Sequence, residues 1–251
     1  MEESVTLAKQ RKRAVSARTA SGARLKPVGW TNLRDWLALV ESHGQLKRIA
    51  SPVDPDEELS AITYMATRRE DAPALLFSNL KGDRGGSSVV SNMLGASKER
   101  YALAVGIDPS LDIAQMIEAS RKIMRRTAKP VHVPKSSAPV NEVVRLSGAF
   151  DLTEFPSPTF WPGDGGRYIG TGNIVLTRDP ETGRINVGCY RQMLQGPDRI
   201  GFYCSPGKHG LLDREAWWAM GKPLEVVAAY GIDPVLFMLG AQVFGANESE
   251  L

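Results

Sequence analysis

Residues 165–194 read GGRYIGTGNIVLTRDPETGRINVGCYRQML, and the way this stretch folds decides the architecture of the second half of the chain. Its centre, DPETGR at 179–184, is a turn: Pro180 presets one backbone angle, and Gly183 supplies a conformation that a side chain would resist. The flanks, 167–178 and 184–194, carry the β-branched residues of strands and read as the two arms of a hairpin. A further strand is expected at 199–205. The second arm also holds Asn186, Cys189 and Arg191. Such groups either decorate a solvent face or line a site.

On the N-terminal side, TNLRDWLALVESHGQLKRI predicts a helix capped by Thr31 or Asn32, with Leu33, Trp36, Leu37 and Val40 at helical spacing and Gly44 as its stop. Leu46 to Ile49 follow as a strand. A second helix is expected over 54–70, with acids in its first turn and Arg68 and Arg69 in its last, as the helix dipole favours. PALLFSNLKG and SSVVSNMLG predict short buried strands closed by glycines, and SKERYALAVG and SLDIAQMIEASRKIMRR predict helices. These elements make an α/β unit over residues 30–128. From Lys129 the sequence becomes proline-punctuated, and residues 129–251 read as a β-rich module. Within it FDLTEFPSPTFWPGDGG is a loop, DREAWWAMGKP a short helix, and LEVVAAYGIDPVLFMLGA a strand, turn and helix.

A composition 42% hydrophobic and 24% charged suits a folded chain and excludes a compositionally disordered one. The net charge of +3 is smaller than a nucleic-acid binder usually carries. Much of it lies in residues 9–27, which contain Lys9, Arg11, Lys12, Arg13, Arg18, Arg24 and Lys26 and no acid. Residues 1–29 are expected to be a disordered basic tail. A presequence of organelle type and an interaction arm stay open; the apolar core of a secretory signal is missing. No apolar run reaches the ~18 residues of a membrane span. Cys189 and Cys204 form no CxxC pair, and the cytoplasm is the expected setting.

Among groups that carry chemistry, Asn186, His209 and Glu248 offer an amide oxygen, an imidazole and a carboxylate, a set that suits Mn²⁺ or Mg²⁺. Against this stands the ordinary reading of His209, in PGKHG, as a loop residue. By type alone Arg191 is a surface cation, and Cys189 and Cys204 are small core residues rather than nucleophiles. No Ser/His/Asp order points to a hydrolase. GDRGGSS (82–88) and GDGGR (163–167) match neither a dinucleotide nor a P-loop spacing and read as turns first.

The run 165–194, followed by SPGKHG and GANESEL, resembles the central region of the UbiD family of reversible decarboxylases, which use prenylated FMN. LRDWLALVESHGQLKRIASPVDPDEELSAITYMATRR and PALLFSNLKG resemble that family's N-terminal region, so the similarity spans residues 30–251. The resemblance implies an α/β unit followed by a split β-barrel-like flavin-binding module. It implies non-oxidative decarboxylation of an aromatic or α,β-unsaturated carboxylic acid, with prenylated FMN delivered by a flavin prenyltransferase, Mn²⁺ (or Mg²⁺), and K⁺ as a further ion. Residue by residue, it implies Asn186, His209 and Glu248 as metal ligands, Glu248 being taken in preference to Glu250. Cys189, Tyr190, Arg191, Lys208 and His209 would lie along the cofactor. Arg191 would also be the catalytic arginine, its guanidinium orienting a carboxylate.

Asn186 and Arg191 are an odd number of positions apart, which on a regular strand turns their side chains to opposite faces. A bulge or helical turn at Gly188 is expected to reconcile them. Family members are longer, and their proton-handling Glu-x-Pro-x-Gly-Glu/Asp motif has no counterpart in these residues. The chain is therefore expected to be a truncated or split enzyme, inactive alone, that forms a homo-oligomer or joins a complementing C-terminal chain. Two other readings stay open: a catalytically inactive flavin- or metal-binding remnant, and a split-barrel flavin reductase.

Overall fold

In the computed structural model, residues 28–124, 130–245 and 248–251 are described. The basic tail expected over 1–29 thus falls almost wholly outside the described residues, as does the 128/129 boundary. Helix α1 (Leu33–Ser42) begins where the Asn32 Oδ1 accepts the Asp35 N–H at 3.0 Å. It ends at Gly44, which takes the left-handed backbone at φ 70°. Its buried face is Trp36, Leu37 and Val40. Burial of side chains this large stabilises by roughly 1.5–3 kcal/mol each.

Strand β1 (Leu46–Ile49) pairs in parallel with β2 (Ala74–Phe77), and β3 (Val89–Ser91) adds antiparallel to β2. The crossover between β1 and β2 is α2 (Glu58–Thr67). It starts later than the acids of 54–57 suggest, because those residues are engaged elsewhere. Glu57 is left-handed at φ 62°. Its N–H donates to the Thr159 carbonyl at 3.0 Å, and the Thr159 N–H donates to Pro55 at 3.1 Å. The α/β part is thereby stitched to the segment leading into the hairpin. Helices α3 (Lys98–Val105) and α4 (Ile113–Met124) complete this part.

Arg100 on α3 is fully buried. It donates to the carbonyls of Leu94 (3.1 Å) and Ala72 (2.9 Å) and to Gln45 Oε1 (3.1 Å). Burial pushes its pKa down. Truncation removes three donations made by a fully buried guanidinium and empties the space it fills, so Arg100→Ala is expected to destabilise the fold by about 3 kcal/mol in urea denaturation. An unchanged midpoint would remove Arg100 from this role.

The hairpin of 165–194 forms, and both of its arms are broken. The first arm is β4 (Tyr168–Gly170) and β5 (Ile174–Arg178); the second is β6 (Ile185–Gly188) and β7 (Gln192–Leu194). At the turn between them Asp179 Oδ1 accepts the Glu181 and Thr182 N–H groups at 2.9 and 2.8 Å. β5 pairs with β6 and β4 with β7, all antiparallel. Each half then gains its own third strand: β8 (Ile200–Phe202) on β7, and β9 (Val227–Ala229) on β5. The result is two three-stranded sheets sharing one hairpin, with no closed barrel among the described residues.

Both breaks fall after a glycine onto which a following side chain folds back. A Cβ at Gly170 would stand 2.6 Å from Asn173 Oδ1, and one at Gly188 would stand 2.7 Å from the Tyr190 hydroxyl oxygen. The irregularity expected at Gly188 is therefore present, and it is a change of sheet rather than a bulge.

Helix α5 (His209–Ala219) begins earlier than DREAWWAMGKP suggests. Helix α6 (Pro234–Gly240) starts at Asp233, whose Oδ1 accepts from the Val235 and Leu236 N–H groups at 2.9 and 3.0 Å. Met238 of α6 packs against the Trp36 cluster.

Candidate active site

The sheet change at Gly188–Gln192 opens onto a cavity of about 360 Å³. Asn186, Cys189, Tyr190, Arg191, Lys208 and His209 all line it. Asn186 comes from β6, Cys189 to Arg191 from the crossing between sheets, Lys208 from the turn before α5, and His209 from the first residue of that helix. Sequence separation of these groups is thus converted into one wall by two elements, the broken arm and the α5 N-terminus.

Tyr190 is the post around which the wall is built. Its ring packs between two glycines: a Cβ at Gly210 would come within 2.7 Å of its hydroxyl. The hydroxyl accepts the Gly210 N–H at 3.1 Å, tying the crossing to α5. Burial pushes the phenol pKa up, opposed by the hydrogen bonds from Gly210 and the Asn186 amide. Cys189 forms no disulfide, and its N–H donates to the Gly240 carbonyl at 3.0 Å. Burial pushes its thiol pKa up, which disfavours the thiolate.

Asn186 is buried, and its Nδ2 donates to Thr177 Oγ1 at 2.9 Å. His209 Nδ1 faces a carboxylate at 3.5 Å, and that carboxylate belongs to Glu250. The Glu250 side chain is 4% exposed, and its Oε2 is buried with no hydrogen-bond partner among the described residues. Glu250 reaches this place because its N–H donates to Ile185 on β6 at 3.3 Å, and Ser249 Oγ donates to the same carbonyl at 3.2 Å. Glu248, the ligand expected from the sequence, is not brought to this wall. It is exposed and folds back to accept the Gly245 N–H at 2.9 Å. Residues two apart in a regular extended segment share one face, so spacing does not distinguish the two glutamates; the structure does, because Glu248 closes the turn at Gly245 while Glu250 is tied to β6.

The remaining charges are cations. Arg191 is exposed at the cavity and has no carboxylate within ion-pair distance among the described residues. Lys208 is likewise exposed beside the α5 N-terminus, where backbone N–H groups and the helix dipole favour an anion. The wall thus offers a buried oxygen and nitrogen donor set and, next to it, positive charge.

The N-terminal domain model of 3-octaprenyl-4-hydroxybenzoate carboxy-lyase matches residues 37–120, and the Rift-related domain model of the same enzyme matches residues 131–251. The chain belongs to the UbiD family. An uncharacterized protein of Synechocystis sp., sll0936, is 32% identical over 238 residues, covering 87% of this chain and 46% of that protein. The solved vanillic acid decarboxylase of Sedimentibacter hydroxybenzoicus, in closed form, superposes with a TM-score of 0.81 at 29% identity, over 90% of this chain and 48% of that one. An evolved dimeric form of the UbiD-class enzyme HmfF from Pelotomaculum thermopropionicum, in complex with prFMN, gives 0.76 at 31% identity, over 87% and 48%. This UbiD-family chain spans about half the length of the relatives it matches. Among its described residues no helix is long and apolar enough to cross a membrane.

Proposed function

We propose that the chain is the cofactor-holding part of a UbiD-class carboxy-lyase that removes CO₂, reversibly and without oxidation, from an aromatic or α,β-unsaturated carboxylic acid. Residues 30–128 would be the α/β unit and 129–251 the flavin-binding module, its paired sheets being one part of a split barrel. The observation that carries this reading is the buried, unpartnered Oε2 of Glu250 beside His209, on the cavity where Arg191 stands without a counter-charge.

An orphaned carboxylate oxygen, an imidazole and an amide oxygen fit a hard to borderline divalent cation. Asn186, His209 and Glu250 would hold Mn²⁺ (or Mg²⁺), with K⁺ as a further ion, and Lys208 and the α5 N-terminus would offer positive charge to the cofactor phosphate. Prenylated FMN, when bound, supplies the electron-accepting chemistry of the carbon–carbon cleavage. The chain's own residues bind and orient. Tyr190 and Cys189, on the cavity wall, would pack against the cofactor, and Arg191 would hold the substrate carboxylate in a fork of N–H donors. The proton that replaces CO₂ is assigned to an acid outside residues 1–251. Assembly with a second copy or a complementary chain would bring it to the site. Among the described residues no feature favours a flavin reductase.

Co-expression of the 251-residue chain with a flavin prenyltransferase tests the reading. Native mass spectrometry is expected to show one prenylated FMN and one divalent ion per chain, with the flavin absorbance to match. A chain that emerges folded but empty sinks the claim that these residues suffice to hold the cofactor.

A further inference from the structure

An asparagine serves as a metal ligand only through its oxygen, and an amide can sit in its cavity either way round. Something must choose. Behind Asn186 runs a buried line of side chains that nothing in the proposed chemistry uses. Arg184 Nη2 donates to Asp213 Oδ1 at 2.5 Å, Thr177 Oγ1 hydrogen-bonds Asp213 Oδ2, and Asn186 Nδ2 reaches Thr177 Oγ1 at 2.9 Å. Asp213 is fully buried, and Arg184, Thr177 and Asn186 are each less than a tenth exposed.

The direction of every bond in this line follows from its first member. A guanidinium only donates, and a carboxylate facing it only accepts. The Thr177 hydroxyl must therefore give its one hydrogen to Asp213. Its lone pairs are left to accept, and they accept from the Asn186 NH₂. The Nδ2 of Asn186 is thus held by protein, and its Oδ1 has no donor among the described residues. We propose that Thr177 and Asp213 are positioning residues, which fix the Asn186 amide with its oxygen toward the cavity and so preset the site for a cation. This rests on the metal reading of the same site.

Asp213→Asn keeps the shape and reverses the direction. The new amide turns its oxygen to Arg184 and its NH₂ to Thr177, so the hydroxyl donates to Asn186 and the Asn186 NH₂ swings to the cavity. Mn²⁺ alone, titrated into the 251-residue chain and followed by electron paramagnetic resonance, is the probe. Asp213→Asn and Thr177→Val are each expected to weaken Mn²⁺ binding by about ten- to a hundredfold, as groups that orient ligands commonly do. Thr177→Ser, which keeps the hydroxyl, is expected to restore it. In the metal-free wild type, the Asn186 side-chain amide proton held by Thr177 should exchange slowly by NMR.

If Asn186→Ala lowers Mn²⁺ affinity and folded Asp213→Asn does not, the positioning role falls while the metal site stands. If Asn186→Ala changes nothing, the metal reading falls and takes the inference with it. Should neither Asp213→Asn nor Thr177→Val fold, the wild-type amide decides: fast exchange of that proton overturns the proposal.

Discussion

Arg191→Ala is expected to lower kcat/KM for the proposed decarboxylation by about a thousandfold and to leave bound Mn²⁺ at the wild-type level. The size follows from removing a preorganised charged donor aimed at reacting atoms, which commonly costs 10²–10³. The selectivity follows from the fold. Asn186 lies on β6, whereas Arg191 lies on the crossing that has already left that sheet, and Arg191 has no carboxylate partner among the described residues that its loss would strand. Steady-state kinetics with elemental analysis on the same preparations reads both arms. An active Arg191→Ala enzyme would remove Arg191 from the carboxylate, and lost metal would mean that the crossing and the ligand set are one structural unit.

Glu250→Gln is expected to weaken Mn²⁺ binding by at least about a hundredfold, beyond the range typical of residues that only support a ligand. Glu248→Gln is expected to leave it unchanged. The two glutamates are near neighbours in sequence, and their surroundings differ in kind: one buried with an orphaned oxygen beside His209, the other exposed and closing a turn at Gly245. Calorimetric titration of both variants separates them. Equal losses, or a loss confined to Glu248→Gln, would refute the assignment of Glu250.

The parts of this molecule that were legible in the sequence are those whose causes are local. Asn32 and Gly44 mark the ends of α1 because a cap and a left-handed stop act within a few residues. DPETGR marks its turn for the same reason. The break in each hairpin arm was visible only as glycines. Its cause at Gly188 is the Tyr190 ring, held by α5 from 20 positions further on, a tertiary contact that strand propensity does not contain.

The start of α5 was missed because Lys208 caps it without a side-chain hydrogen bond, so no cap signal precedes His209. Asp213 opens the segment DREAWWAMGKP, which reads in sequence only as a short helix. It is a buried partner of Thr177 and Arg184, 36 and 29 positions away, and nothing near it in sequence announces that. The residues that the resemblance named, Asn186, Arg191 and His209, line one cavity, whereas the acid it took, Glu248, lies off that cavity and Glu250 lies on it.

The shared hairpin also governs how this half of the molecule comes apart. β5 is the middle strand of one sheet and β7 of the other, and they lie on opposite arms of the same hairpin. Fraying either sheet therefore strains the covalent continuation of both arms into its neighbour, so the two sheets open as a single cooperative unit rather than as separate foldons. The cavity sits where that unit is joined. The part of its wall formed by β6 and the crossing therefore opens with that unit.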